Sequence, residues 1–304
     1  MKQVVVLSGK GGTGKTCVTA SFAHLAHAGL QRISAVLADA DVDASNLELV
    51  LQPEVREEHV FEGGAVAVID HELCEGCGTC LSVCRFEAIL EPGADGRTQY
   101  EVDPIACDGC AACVYTCPTS AVRMQPQIAG AWFDSSSRFG PLYHAALKPA
   151  QENSGKLVTL VKQQARLRAL DQNIGLALVD GPPGIGCPVI SAASGASLAL
   201  IVAEPSAAGI HDLERVLDLT AHFELPTLVC INKADIYPEG SAQIEAACQE
   251  RGVEVIGRIP FDASVTEAMV QGEPVTAFRP DAPASLALRE IWARLSERIN
   301  DESN

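Results

Sequence analysis

The chain of 304 residues carries 39 acidic against 22 basic side chains, a net charge of −17, with 47% hydrophobic and 20% charged residues. That apolar content can bury a full core, which excludes a disordered chain, and the length suggests about two domains. The negative balance argues against a partner made of nucleic acid and against electrostatic docking on anionic lipid, because both need a basic face.

Lys2 to Leu7, KQVVVL, is a β-branched run that predicts a buried strand and is too short for a secretory h-region. GKGGTGKT follows, and Cys17 to Ala28 has helix-like apolar spacing. Ile33 to Ala38 (ISAVLA) predicts a second strand, ending in DADVDASN. After Pro53 this rhythm stops until about Gln125. That stretch holds short strands at Val66–Ile69, Thr98–Val102 and Val122–Met124, with turns and most of the cysteines. A polar patch, SSSRFGP, and a helix from Ser154 to Leu170 come next.

Strands then recur at Ile174–Val179, Leu198–Val202, Thr227–Ile231 and Val253–Ile259, with helices at Gly209–Ala221, Ser241–Arg251 and Leu286–Ile299. Apolar runs without alternation mean strands covered on both faces, as in parallel sheets. Gly181 to Ala203 is uncharged over 23 residues, but three prolines and four glycines interrupt it, so it reads as loop, short helix and strand rather than a membrane span. The expected architecture is α/β, a doubly wound, mostly parallel sheet of P-loop NTPase type. Residues 1–57 and 126–304 form the larger domain, and residues 58–125 a small inserted α+β domain.

Twelve cysteines without a secretory leader suggest a reducing compartment, the cytoplasm, where such patterns bind metal or do redox chemistry more often than they form disulfides. CEGCGTCLSVC (74–84) returns 33 residues later as CDGCAACVYTC (107–117). The spacing C-x2-C-x2-C-x3-C is the run in which three thiolates cover three corners of a cubane and the fourth ligates the other cluster. One [4Fe-4S] cluster is thereby assigned to Cys74, Cys77, Cys80 and Cys117, and a second to Cys107, Cys110, Cys113 and Cys84. Zinc sites also use C-x2-C pairs, but they require no third cysteine at x2 and no fourth at x3, repeated. Between Cys74 and Cys117 lie seven acidic and two basic residues, a field that favours a low reduction potential. Cys17, Cys187, Cys230 and Cys248 are scattered, as small buried residues are.

Gly9 to Thr16 satisfies G-x-x-x-x-G-K-[ST] between a strand and a helix. Gly9, Lys10, Gly11, Gly12, Thr13, Gly14, Lys15, Thr16 and Cys17 therefore form a candidate phosphate cradle, with Lys15 on the β/γ-phosphates and Thr16 on Mg²⁺. Asp39, Asp41 and Asp43 close the second strand, where at least one is a candidate helix cap. Asp180 ends a strand beside the loop, and Asp39 joins Thr16 and Asp180 as a candidate for Mg²⁺ coordination. Asn232-Lys233-Ala234-Asp235 fits N-K-x-D, a guanine-reading pattern that raises GTP as an alternative to ATP.

With Lys10 early in the loop, KGGTGKT resembles the deviant Walker A of the MinD/ParA/nitrogenase-iron-protein class of P-loop ATPases. DADVDASNLE (39–48) is similar to its switch I, VDGPPGIG (179–186) to Walker B with switch II, and EPSAAGIHDLERV (204–216), INKAD (231–235) and IPFDASVTEAMVQGEPV (259–275) to its later segments. The resemblance covers essentially the whole chain and, with the inserted cysteine phrases, matches the MinD-superfamily ATPases that carry an inserted ferredoxin domain. It implies ATP and Mg²⁺, and a homodimer or a heterodimer with a related ATPase, in which Lys10 contacts nucleotide across the interface. Asp41, or Asp43 where some relatives place that carboxylate, would orient the attacking water. Asn232 and Lys233 would meet adenine, and the segment from Pro260 to Asp262 would close over the base. In the nitrogenase iron protein a cluster-ligating cysteine stands at an offset similar to that of Cys187.

Three functions compete. One is an iron-sulfur ATPase that couples ATP binding and hydrolysis in a dimer to electron transfer through two clusters, serving a redox or metallocentre partner. Another is a cluster or metallocentre assembly factor. The third is a MinD-like scaffold in a larger complex; LREIWARLSERINDESN (288–304) is balanced and then acidic, unlike a basic membrane-surface helix, and membrane insertion is not expected.

Overall fold

The computed structural model describes residues 1–29, 32–93, 99–148 and 154–301. Thr98, where one expected strand begins, and the last three residues of the acidic C-terminal stretch lie outside them. The chain opens with β1 (Lys2–Ser8), α1 (Lys15–Ala28), β2 (Ala35–Asp39), α2 (Leu47–Leu51) and β3 (Glu54–Ile69). The cysteine-rich stretch holds α3 (Thr79–Val83), β4 (Ile89–Leu90), β5 (Glu101–Val102) and α4 (Ala112–Thr116). Then come β6 (Val122–Ser137), β7 (Gly140–Leu147), α5 (Ser154–Asp171), β8 (Leu176–Pro183), α6 (Cys187–Ala193) and β9 (Leu198–Ala203). The last elements are α7 (Ala207–His222), β10 (Thr227–Asn232), α8 (Pro238–Glu250), β11 (Glu254–Ile259), α9 (Ala263–Val270), α10 (Val275–Phe278) and α11 (Pro283–Asp301).

Among the described residues a nine-stranded sheet runs in the order β11-β10-β9-β1-β8-β2-β7-β6-β3. From β11 to β7 every neighbouring pair is parallel. β1 sits between β8 and β9, with Val4 to Leu7 wholly buried, which is why its sequence is a continuous apolar run rather than an alternating one. The main core gathers Val4, Val6, Leu37, Leu178 and Leu200 of the sheet with Phe22 of α1 and Trp292 of α11, whose ring centroids are 5.2 Å apart. The register pairs Val6 with Asp180, and Asp39 with Asp180. Two carboxylates thus stand side by side where β2 ends against β8, which runs on to Pro183, near the carboxyl ends where α/β sheets bind ligands.

β3 and β6 are far longer than the Val66–Ile69 and Val122–Met124 expected of them. β3 opens EVREEH, its first residues largely exposed, so burial does not print an apolar signature on it. β6 contains Pro126, Gly130 and a run of serines, and SSSRFGP covers its end and the start of β7.

The chain divides into two compact units. The first comprises Met1–His59, Ala131–Ala146 and the chain from Ser154 on; the second is built on Val60–Gly130. The second has a small core of its own, in which Ala67, Ile69, Ile89 and Val122 pack with Cys80 and Cys113. Among the described residues no helix is long and apolar enough to cross a membrane.

Candidate functional site

The turn from β1 to α1 is made by Gly9 to Gly14. Gly14 caps α1 at φ +96, and a Cβ there would lie 2.4 Å from Asn232 Nδ2, which donates to the Thr13 carbonyl at 2.7 Å. Left-handed backbone and a crowded neighbour together make glycine the residue that fits. Lys15 is buried, 5% exposed, at the first residue of α1, and its charge acts on both Asp41 and Asp180.

Asp180 is 1% exposed. Its Oδ1 accepts from Thr19 Oγ1 at 3.1 Å and it is also hydrogen-bonded by the Thr16 side chain, while Oδ2 has no partner among the described residues. Burial drives Asp180 above the ordinary carboxylate range against the pull of Lys15. Asp39 is wholly buried. Its Oδ1 accepts from the Asp41 amide at 3.1 Å, and its Oδ2 from Ser45 Oγ at 2.8 Å and the Leu47 amide at 3.0 Å, so it ties down the segment that opens α2. Burial, then the neighbouring Asp180, pushes it up to about 8. Asp41 is half-buried, and burial, partly offset by Lys15, raises it to about 6; Asp43 is exposed. A buried pair of acids with an orphan oxygen is the electrostatic condition that a divalent cation relieves.

Lys10 does not reach into open solvent. Its Nζ donates to Glu204 Oε1 and Ser206 Oγ, each at 3.3 Å. The same Glu204 accepts from Lys233 Nζ at 3.0 Å, and Lys233 also donates to the Gly12 carbonyl at 3.3 Å. Glu204 therefore bridges two lysines of the loop's rim. Asp262 caps α9, accepting from Ser264 and from the Ala284 amide, with Pro260 half-buried beside it. Asp235 accepts from the Phe261 amide at 2.6 Å. Cys17 lies with its Sγ 3.1 Å from Met269 Sδ, and burial pushes its thiol up to about 11. Cys187 is exposed at the first residue of α6.

In the second unit the sequence repeat is also a backbone repeat. Left-handed conformations recur at the 33-residue offset: Gly76 and Gly109, Gly78 and Ala111, Glu87 and Ser120. Asp70 and Asp103 each cap the turn before a cysteine run, accepting from the amides of Glu72 and Ile105. The amide of Asp70 donates to Ala121, and that of Asp103 to Ala88, so each half closes on the other. Cys80 on α3 and Cys113 on α4 are buried, while Cys77 and Cys110 are exposed.

Cys84, Cys107, Cys110 and Cys113 wall one pocket together with Ala67 and Ile89. The Thr79 hydroxyl beside it holds the Cys77 thiol below its ordinary range, and burial pushes that of Cys80 up. Thr79 Oγ1 lies 3.4 Å from Cys77 Sγ, and Thr119 Oγ1 lies 3.6 Å from Cys117 Sγ. Among the described residues no three Cys, His, Asp or Glu side chains close to the spacing of a single bound ion.

Sequence reasoning missed Glu204, Ser206 and Thr19. Glu204 and Ser206 lie inside the quoted stretch 204–216, but nothing local marks them as partners of a lysine 194 residues away.

The family model described as CobQ/CobB/MinD/ParA nucleotide binding domain matches residues 4–275. An uncharacterized protein of Methanocaldococcus jannaschii is 29% identical over 303 residues, 98% of this chain and 97% of that one. An iron-sulfur cluster carrier protein of Pyrococcus horikoshii is 27% identical over 161 residues, 48% of this chain, and this chain spans about half the carrier's length, 54%. The septum site-determining protein MinD of Bacillus subtilis is 29% identical over 165 residues, 52% of this chain and 60% of MinD. Among solved structures, the cell division ATPase MinD of Pyrococcus furiosus superposes with a TM-score of 0.59 at 19% identity, over 97% of this chain and 98% of that one. That last likeness is one of fold.

Proposed function

This chain belongs to the CobQ/CobB/MinD/ParA nucleotide-binding domain family, and from that premise we propose that it is an iron-sulfur ATPase in which ATP binding and hydrolysis govern electron transfer. The P-loop amides and Lys15 hold the phosphates. Thr16, Asp180 and Asp39 hold Mg²⁺, and Asp39, fixed by three hydrogen bonds, keeps the switch segment in place with Asp41 or Asp43 in reach of the attacking water. Asn232, Lys233 and the stretch Pro260–Asp262 surround the base, and ATP is the nucleotide. Lys10 leaves Glu204 to meet the nucleotide of a second copy, or of a related ATPase, so that closure and charge neutralisation coincide.

In the second unit Cys74, Cys77, Cys80 and Cys117 hold one [4Fe-4S] cluster, and Cys107, Cys110, Cys113 and Cys84 a second. The donor set fits: soft thiols only, four of them around one largely apolar pocket, in a unit too small for a large core. When bound, the clusters supply one-electron storage. The observation that carries the reading is the backbone repeat that brings Cys84 of the first run into the pocket of the second.

The test is anoxic purification with iron and acid-labile sulfide counted per chain, followed by EPR of the reduced protein with MgADP and with MgATP. Two clusters whose signal or reduction rate changes with nucleotide support the proposal. Zinc in place of iron and sulfide would sink it. The similarity to iron-sulfur cluster carriers over half the chain favours a second reading, cluster delivery. It is distinguished by mixing the loaded protein with an apo-ferredoxin: retained clusters mean electron transfer, lost clusters mean delivery.

A further inference from the structure

β7 runs beside β2, with Leu142 opposite Leu37 and Tyr143 opposite Ala38. His144 follows Tyr143, so it stands level with the carboxyl end of β2, where Asp39 begins the segment that leads to α2. Its ring is 3% exposed and stacks on Phe133, with 4.9 Å between centroids. Both ring nitrogens have partners. Nδ1 lies 2.7 Å from Glu48 Oε2 of α2, and Nε2 lies 2.9 Å from Ser135 Oγ of β6. A carboxylate can only accept, so Nδ1 carries the hydrogen, and in the neutral ring Nε2 accepts from the serine.

Serine, histidine and carboxylate in that order are the parts of a nucleophilic triad. Ser135 is wholly buried, however, so no substrate can meet its hydroxyl. What this chain of bonds can do is hold a helix in place. α2 is five residues long, and Leu47, Val50 and Leu51 bury its apolar side in the core. Arg138 fixes its far end, where Nη2 donates to the carbonyls of Val50 and Gly272 at 2.8 Å each. Two polar contacts hold its near end: the Leu47 amide on Asp39, and Glu48 on His144. Asp41 and Asp43 lie on the short loop between Asp39 and that end.

We infer that His144 is a positioning residue for nucleotide hydrolysis: through Glu48 it fixes the first turn of α2, and with it the loop 40–46 that presents Asp41 or Asp43 to the attacking water. This rests on the reading of the phosphate loop and its aspartates as an ATP-hydrolysing site. The effect falls on where the water-orienting carboxylate stands, and a displacement of about 1 Å at a reacting group can cost about a hundredfold in rate.

The Glu48 side chain is 38% exposed, so it can be changed without opening the core. In Glu48→Ala, kcat for ATP should fall by about tenfold or more, while affinity for a non-hydrolysable ATP analogue stays within about twofold of the parent. Glu48→Gln, whose amide oxygen still accepts from Nδ1, should recover most of the loss. Amide hydrogen exchange of the full chain without nucleotide adds a readout that needs no turnover. Residues 40–48 should exchange about tenfold faster in Glu48→Ala than in the parent, and Glu48→Gln should match the parent. The inference is overturned if Glu48→Ala turns over or exchanges as the parent does, if its rate and analogue affinity fall together, or if Glu48→Gln is no better than Glu48→Ala. A parent that hydrolyses no ATP refutes the proposed function instead, and the exchange comparison then decides whether His144 holds the loop.

Discussion

Replacing Arg168 by Met isolates the value of one buried polar junction. Asp134 of β6 is 7% exposed, and its Oδ2 accepts both from Arg168 Nη2 of α5 and from Tyr143 Oη of β7 at 2.9 Å; Arg168 Nε donates to the same phenol at 2.8 Å. Asp134 Oδ1 already lacks a partner among the described residues. Methionine keeps much of the arginine's stem but removes the charge, leaving a carboxylate that depends on one phenol. Breaking a buried pair typically costs about 3–5 kcal/mol. The Arg168 side chain is 26% exposed, so water can enter behind the substitution, and we expect about 2–4 kcal/mol.

Asp134→Asn in the Met background removes the stranded charge and should return the protein to within about 1 kcal/mol of the parent. Both tryptophans, Trp132 and Trp292, lie in the first unit, so urea unfolding followed by their fluorescence reads that unit. The reasoning fails if Arg168→Met lies within about 0.5 kcal/mol of the parent, or if the double variant is less stable than Arg168→Met alone.

Lys15→Ala should weaken binding of a fluorescent ATP analogue by about a hundredfold or more while leaving the fold intact, because the lysine supplies the buried charge in the cradle. Cys84→Ser should lower iron per chain toward half, measured by iron and sulfide analysis; full loading would remove Cys84 from the ligand set. Burial holds His144 below the ordinary 6.5, with Glu48 opposing. The unfolded chain therefore binds that proton first, and His144 costs stability as pH falls through and below 6.5. In His144→Gln the thermal midpoint should fall less between neutral pH and mildly acid pH than in the parent.

The phosphate loop and the central strands are legible because their determinants are local. A strand buried on both faces, such as Val4 to Leu7, must be apolar throughout, and a loop that wraps phosphate must carry glycines at fixed places. The cysteine runs are legible for the same reason: the repeat in residue type is a repeat in backbone angle, down to Glu87 and Ser120. What stayed hidden depends on distant parts of the chain. Nothing near Lys10 announces Glu204, and the capping of the Leu47 amide by Asp39 could only be offered as one reading of three neighbouring aspartates. β3 and β6 escaped because a strand with exposed charges or with Pro126 in it offers no periodic apolar face to read.

The central position of β1 has a consequence for biosynthesis. Lys2 to Val6 pair with Leu176 through Asp180 on one side, and Val4 to Leu7 with Leu198 through Ile201 on the other. At roughly 5–20 residues per second, the first strand therefore waits about 9–35 s after leaving the ribosome before either flanking neighbour is made. Meanwhile, the contacts that define the cysteine-bearing unit, such as Asp70 with Ala121 and Asp103 with Ala88, close over a short span of chain. The small unit can thus fold on the nascent polypeptide first, and an aggregation-prone apolar strand must be shielded until the rest of its sheet is synthesised.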